Sequence, residues 1–203
     1  MQIEAERQDL FITRLWSFDL GHLIGHQSAW IEELLKLREI EPDNISRSVR
    51  SGWKTPFRSF DYLPPDLKEL EKVARSCFDH AFREMSLKVS KTFKGFQLQA
   101  GVNLTEPGGY NVQHGHENVY LAGCFYLRVP ENSGNIVFLD PRPAAKYSLG
   151  ASANEMGSTN VHVFPREGQL LIFPGWLEHR VEENLSDQAR ISIVINATAK
   201  GSE

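Results

Sequence analysis

The feature that most constrains this chain is a change of hydrophobic period near Lys91. Before it apolar residues recur at helical spacing, and after it they alternate. Phe96, Leu98, Ala100, Val102 and Leu104 alternate with Gln97, Gln99, Gly101 and Asn103, which predicts a strand with one buried face. A turn is expected at TEPGGYN, and VYLAGCFYLRV, NIVFLD, NVHVF, QLLIF and RISIVINAT then read as further strands. The segments between them, PENSG, DPRPAAKYSLGASANEMGS, PREG and ENLSDQ, are built from turn-forming residues. Short strands with no helices between them predict a sandwich or barrel and argue against a parallel α/β sheet.

In the first third, Trp30, Leu34 and Leu37 follow at steps of four and three, and Ser28 is placed to cap that helix. A second helix is clearer. Pro65 suits its first turn, and Leu67, Leu70, Ala74, Cys77, Ala81 and Met85 share one face. Between the two, ISRSVRSGWKTPFRSFDYLPP reads as a surface loop anchored by Trp53. A chain of 203 residues with 41% apolar side chains can bury one full core, so the expectation is a single domain over 1–203. Residues 1–90 would form a helical scaffold and 91–203 the β core that carries the site.

A net charge of -4, with Lys and Arg scattered, gives no attraction to phosphate backbones, so nucleic acid is not an expected partner. No run approaches the ~20 apolar residues of a membrane span. The opening MQIEAERQDLFITRLW lacks the basic-then-apolar order of a secretion signal. The two cysteines, Cys77 and Cys124, show no CxxC spacing and read as reduced packing residues of a cytoplasmic protein.

The chemistry-bearing segment is QHGHENVYLAGCFYL. Residues i and i+2 of a strand share a face, so His114 and His116 would present both imidazoles to one side, as a metal grip or as a solvent-facing pair. A second segment, REGQLLIFPGWLEHRVEENLSDQARISIVIN, adds His179 at a loop-to-strand junction after the PGW turn. Arg190 lies eleven positions later (190 minus 179), and Ser192 is cofacial with it on the last strand.

In these residues the chain resembles the 2-oxoglutarate- and iron(II)-dependent oxygenases found in phages and proteobacteria. The resemblance runs from Ser51–Trp53 through VNLTEPGGYNVQHGH, LAGCFYL and FPGWLEH to RISIVIN. It implies a mainly β double-stranded β-helix (a jelly roll, cupin-like) with packed N-terminal helices. It also implies Fe(II) on His114, His116 and His179, and 2-oxoglutarate as cosubstrate on Arg190 and Ser192. Ferrous iron accepts imidazole nitrogen, three ligands on one face leave positions for a 2-oxo acid and O2, and a guanidinium fork fits the far carboxylate. The wider superfamily usually has HxD or HxE as its first pair. A third neutral imidazole here leaves the metal one unit more positive, and a carboxylate or water remains the alternative third ligand. Glu117 points to the opposite face unless a bulge at Gly115 turns it.

Asn103 matches an Asn of the same pattern, and either reaches the cosubstrate or closes a turn. Tyr126 either faces the cosubstrate or packs the core. His162 depends on register. The i, i+4 pairs His22/His26 and His80/Glu84 read as surface features, and Trp176 either walls the pocket or packs its turn. The 140–159 connection and the turn around Asp187 are lid candidates. The expected activity is a 2-oxoglutarate-dependent dioxygenase hydroxylating a small molecule or side chain, with O2, in an open oligomeric state. The alternatives are a cupin-like metal-binding isomerase or sensor, which would have no use for Arg190, and a metal-free β-sandwich binding module.

Overall fold

The computed structural model describes residue 6 and residues 8–43, 48–85, 95–144, 147 and 159–200. Its framework is antiparallel: β1 (Trp16–Asp19), β2 (Val49–Lys54), β3 (Phe96–His114), β4 (Val119–Arg128), β5 (Ile136–Leu139), β6 (Asn160–Val163), β7 (Gln169–Pro174), β8 (His179–Val181) and β9 (Arg190–Ala199). The helices α1 (Gln27–Ile40) and α2 (Lys68–Glu84) precede β3, and short 3-10 turns lead into both. The strands run β1-β7-β4-β9-β3-β8-β5-β6, with β2 also paired to β3.

The curl of this sheet is set by β3, which serves two neighbours. Its first half, Phe96 to Thr105, pairs with β9, and its second half reaches β8 through Asn111↔Val181 and His114↔His179. Between these pairs two residues on β3 thus oppose one on β8, a bulge that bends the strand. The turn expected at TEPGGYN is therefore strand. The bending that its Pro and Gly residues signal occurs inside the ladder, where Gly108 takes φ +76°, open to glycine without strain.

The surface loop expected around Trp53 is also corrected, since Val49–Lys54 forms β2 on the flank of β3. Ser51 at φ 49° and a register shift between Arg50 and Gly52 interrupt the alternation that would have marked it. Trp53 is an anchor nonetheless. It is buried and donates from Nε1 to the Glu41 carbonyl that ends α1, at 2.7 Å. So residues 1–90 contribute two strands as well as helices.

The largest apolar cluster lies between the helices and the outward face of β3, β4, β7 and β9. Trp30 and Leu34 of α1 and Leu70, Ala74, Cys77, Phe78 and Ala81 of α2 meet Ile191, Ile193, Ile195 and Ala197 of β9 there. Phe78 fits because position 123 is glycine: a Cβ there would come within 2.9 Å of the Phe78 ring. The expected face of the second helix is the buried one, whereas Ser28 lies inside α1, which starts at Gln27 without a side-chain cap.

A candidate metal centre and its buried arginine

The opposite face of β9 points into the curl. Arg190, Ser192, Val194 and Asn196 face inward in alternation with the isoleucines, and the first three line a narrow cavity of about 30 Å3. Cross-strand register then fixes its walls. Lys54 of β2 opposes Asn103 of β3, Asn103 opposes Ser192, and Ser192 opposes Tyr126 of β4, so one row crosses four strands, all lining the cavity.

At one end of the cavity are the three histidines. His114 and His179 are directly opposed on β3 and β8, and His116 follows the end of β3, tied by its backbone N–H to the Gly175 carbonyl at 2.8 Å. Their ligand atoms all lie within 4.8 Å of one another. Each ring has an oxygen at Nδ1: the Val112 carbonyl for His114 (2.8 Å), the Leu177 carbonyl for His179 (2.9 Å) and Asn196 Oδ1 for His116 (2.8 Å). With Nδ1–H donating to these oxygens, Nε2 keeps its lone pair. Burial holds the rings neutral, pushing His179 down to about 3 and His116 to about 4 and lowering His114 as well. Phe173 and Phe138 pack against the ring of His179, with centroids at 4.8 and 5.9 Å. Three neutral nitrogen donors on one side of an apolar wall suit Fe(II), among other borderline divalent ions.

At the other end lies Arg190, 2% exposed, with no acidic partner among the described residues. Its Nη1 reaches the carbonyls of Ser133 and Gly134 at 3.4 and 3.2 Å, and its Nε has no partner. The Oδ1 atoms of Asn103 and Asn111 are also buried and unpaired. Burial raises the proton affinities of Cys124 and Tyr126, so both stay neutral beside the guanidinium. A buried guanidinium without an anion costs several kcal/mol, so this end suits an anionic ligand.

All six residues singled out in the sequence, His114, His116, His179, Arg190, Ser192 and Asn103, line this cavity, and so does Tyr126. Three others were not read from the sequence. Asn111 shares the inward face with His114 only because the β3 bulge lies between them, Asn196 meets His116 across 80 residues of chain, and Lys54 sits on β2, where a loop is expected. His162 is outside the site, paired with Glu182 at 3.1 Å. His26 lies against Glu69 and stacks on Trp30, and His80 pairs with Glu84 on the exposed side of α2 as expected. Trp176 is 56% exposed and lines an open groove next to His116. Of the lid candidates, most of the 140–159 connection lies outside the described residues, and the Asp187 turn is fastened by Asn184, whose side chain bonds the carbonyls of Thr105 and Gln188.

The curled antiparallel sheet is a double-stranded β-helix, and it carries three inward imidazoles at one end of its cavity and an inward arginine at the other. The sequence of the same strands agrees. Residues 99–196, from β3 to β9, match the family described as "Putative 2OG-Fe(II) oxygenase". Solved structures with the same fold include a prolyl-4-hydroxylase from Pseudomonas putida (12% identity, TM-score 0.62, covering 95% of this chain and 96% of that one). HygX from Streptomyces hygroscopicus, with nickel and 2-oxoglutarate bound, is similar at 14% identity and TM-score 0.60, covering 93% and 84%. The viral collagen prolyl hydroxylase of Paramecium Bursaria Chlorella virus-1 is similar at 11% identity and TM-score 0.58, covering 98% and 100%. No curated protein matches the chain in sequence. Among the described residues no helix is long and apolar enough to cross a membrane.

Proposed function

We propose that this chain hydroxylates a small molecule or an amino-acid side chain, with His114, His116 and His179 holding iron and Arg190, Ser192 and Asn103 holding 2-oxoglutarate. The observation that carries this reading is the Arg190 guanidinium, buried without an anionic partner and with Nε unbonded, at the far end of a cavity that opens on three lone-pair-bearing imidazoles. A 2-oxo diacid has the matching shape: a chelating 2-oxo acid group at one end and a carboxylate at the other. Bound iron supplies the activation of O2 that couples loss of CO2 from 2-oxoglutarate, giving succinate, to transfer of one oxygen atom to the substrate.

The protein's own residues position and shield. Arg190 is a guanidinium fork for the far carboxylate, and the hydroxyls of Ser192 and Tyr126 add donors along the same wall. Phe173, Ile136 and Val181 exclude water from the histidine end, which strengthens each of these polar contacts. His116 faces both the cavity and the groove at Trp176, so the groove is the way in for substrate. A cupin-like isomerase or sensor would need the histidines alone and would gain nothing from a buried, unpaired arginine. We also read the helices and β core as one domain, because one apolar cluster joins them, and the free Cys77 and Cys124 as suited to a reducing cytoplasm.

The test is stoichiometric Fe(II) binding together with O2 uptake that depends on 2-oxoglutarate. His179→Ala is expected to lose the metal and to lower uptake at least a hundredfold. An unchanged rate in that variant would overturn the proposal.

A further inference from the structure

The cavity contains a second cation. Lys54 comes from β2, outside the residues that match the oxygenase family, and it lines the cavity beside His114 and His116. Its ammonium lies 4.9 Å from the ring centre of Phe57, and that ring lies 6.1 Å from the ring of His116, so Phe57 links the lysine to the metal-side wall. Its field reaches all three histidines and Cys124, so the ammonium lies along the wall between the metal centre and the Arg190 end. No Asp or Glu lines the cavity, and none pairs with Lys54 among the described residues. Glu117 and Glu178 face the outer groove, where Glu178 is already bonded by Gln113 at 2.6 Å.

The charge count then decides what else must enter. Three neutral imidazoles add nothing, so a divalent metal, Arg190 and Lys54 bring two, one and one positive charges, and the two carboxylates of 2-oxoglutarate offset half of that total. With a carboxylate in place of one histidine and no lysine, the same site would balance. Surplus positive charge in a confined, largely apolar cavity is costly unless an anion meets it. On the oxygenase reading the near carboxylate of the cosubstrate would face the metal and the far one Arg190, which leaves Lys54 for the substrate.

We propose that Lys54 forms a carboxylate-binding subsite on the cavity wall beside the histidines, so that the molecule this enzyme oxidises is a small compound carrying a free carboxylate. The carboxylate seats on the ammonium and holds the neighbouring carbon toward the three histidines. Lys54 is a specificity residue here, and its assignment rests on the oxygenase reading above.

The experiment is a two-stage calorimetric titration of Ni(II)-loaded protein. In the first stage 2-oxoglutarate is added; if it fails to bind the wild type, the oxygenase reading itself fails. In the second, the protein saturated with 2-oxoglutarate receives free amino acids and short aliphatic acids, each paired with its carboxamide. At least one acid is expected to bind about tenfold or more tightly than its amide. Lys54→Met should remove that preference, Lys54→Arg should restore part of it, and neither should weaken 2-oxoglutarate by as much as tenfold. The proposal is overturned if no acid is preferred over its amide, or if Lys54→Met leaves the preference intact. It is equally overturned if Lys54→Met weakens 2-oxoglutarate tenfold, since Lys54 would then hold the cosubstrate.

Discussion

The two faces of β9 are built from one stretch of chain and obey opposite rules. Outward, Ile191, Ile193, Ile195 and Ala197 are fully buried against the helices, and each apolar contact there adds stability. Inward, Arg190, Ser192 and Asn196 are just as deeply buried, yet Arg190 Nε has no partner and the opposing Asn103 Oδ1 has none. The first face holds the fold together, and the second leaves buried polar groups unpaired, a cost that the proposed ligands would offset. Depth of burial alone does not separate core from site; the satisfaction of polar atoms does.

Three substitutions probe that contrast. Trp30→Ala, on the outward side, removes a large ring packed against Phe125 and should cost about 3–5 kcal/mol in denaturant unfolding, with 2-oxoglutarate affinity unchanged in the protein that stays folded. A loss of affinity in that variant would show that the faces are coupled. Arg190→Met should act in reverse. Its apo form is expected to be about 1 kcal/mol more stable by the same unfolding measurement, because an unpaired buried charge is gone, while 2-oxoglutarate binding by calorimetry weakens about a hundredfold. A less stable apo protein would mean that the carbonyls of Ser133 and Gly134 satisfy the guanidinium after all. Asn196→Leu keeps the volume and deletes the acceptor at His116 Nδ1, and should weaken metal binding about tenfold in a chelator competition with little change in stability. Equal loss in an Asn196→Asp variant would argue that orientation of the ring is not what Asn196 provides.

The same two faces explain what could be read from the sequence. On β9 the alternation is strict, so Arg190 and Ser192 were legible as inward partners and the isoleucines as core. The HGH segment and His179 were legible for the same reason, since short spacings on strands fix a shared face. Asn111 was not, because it and His114 are three apart and only the extra residue of the bulge turns both inward. Lys54 was hidden by Ser51 and Gly52, which break the pattern of β2 before its last residue. Asn196 is a different case: its face was readable, but its partner His116 is set by how β9 lies beside β3 and β4, which no local period encodes.

The hydrogen bonds behind the three imidazoles have a further consequence. His114 and His179 lean on main-chain carbonyls, which no point mutation can delete, whereas His116 leans on the side chain of Asn196. If the three imidazoles hold the metal as proposed, two ligands are locked and one is adjustable. Drift at position 196 alone could tune the electron donation and tilt of a single ring, and with them the metal's redox poise, while the rest of the coordination shell is inherited unchanged. In such a centre the residue that departs from the superfamily's usual carboxylate is also the one that selection can most easily retune.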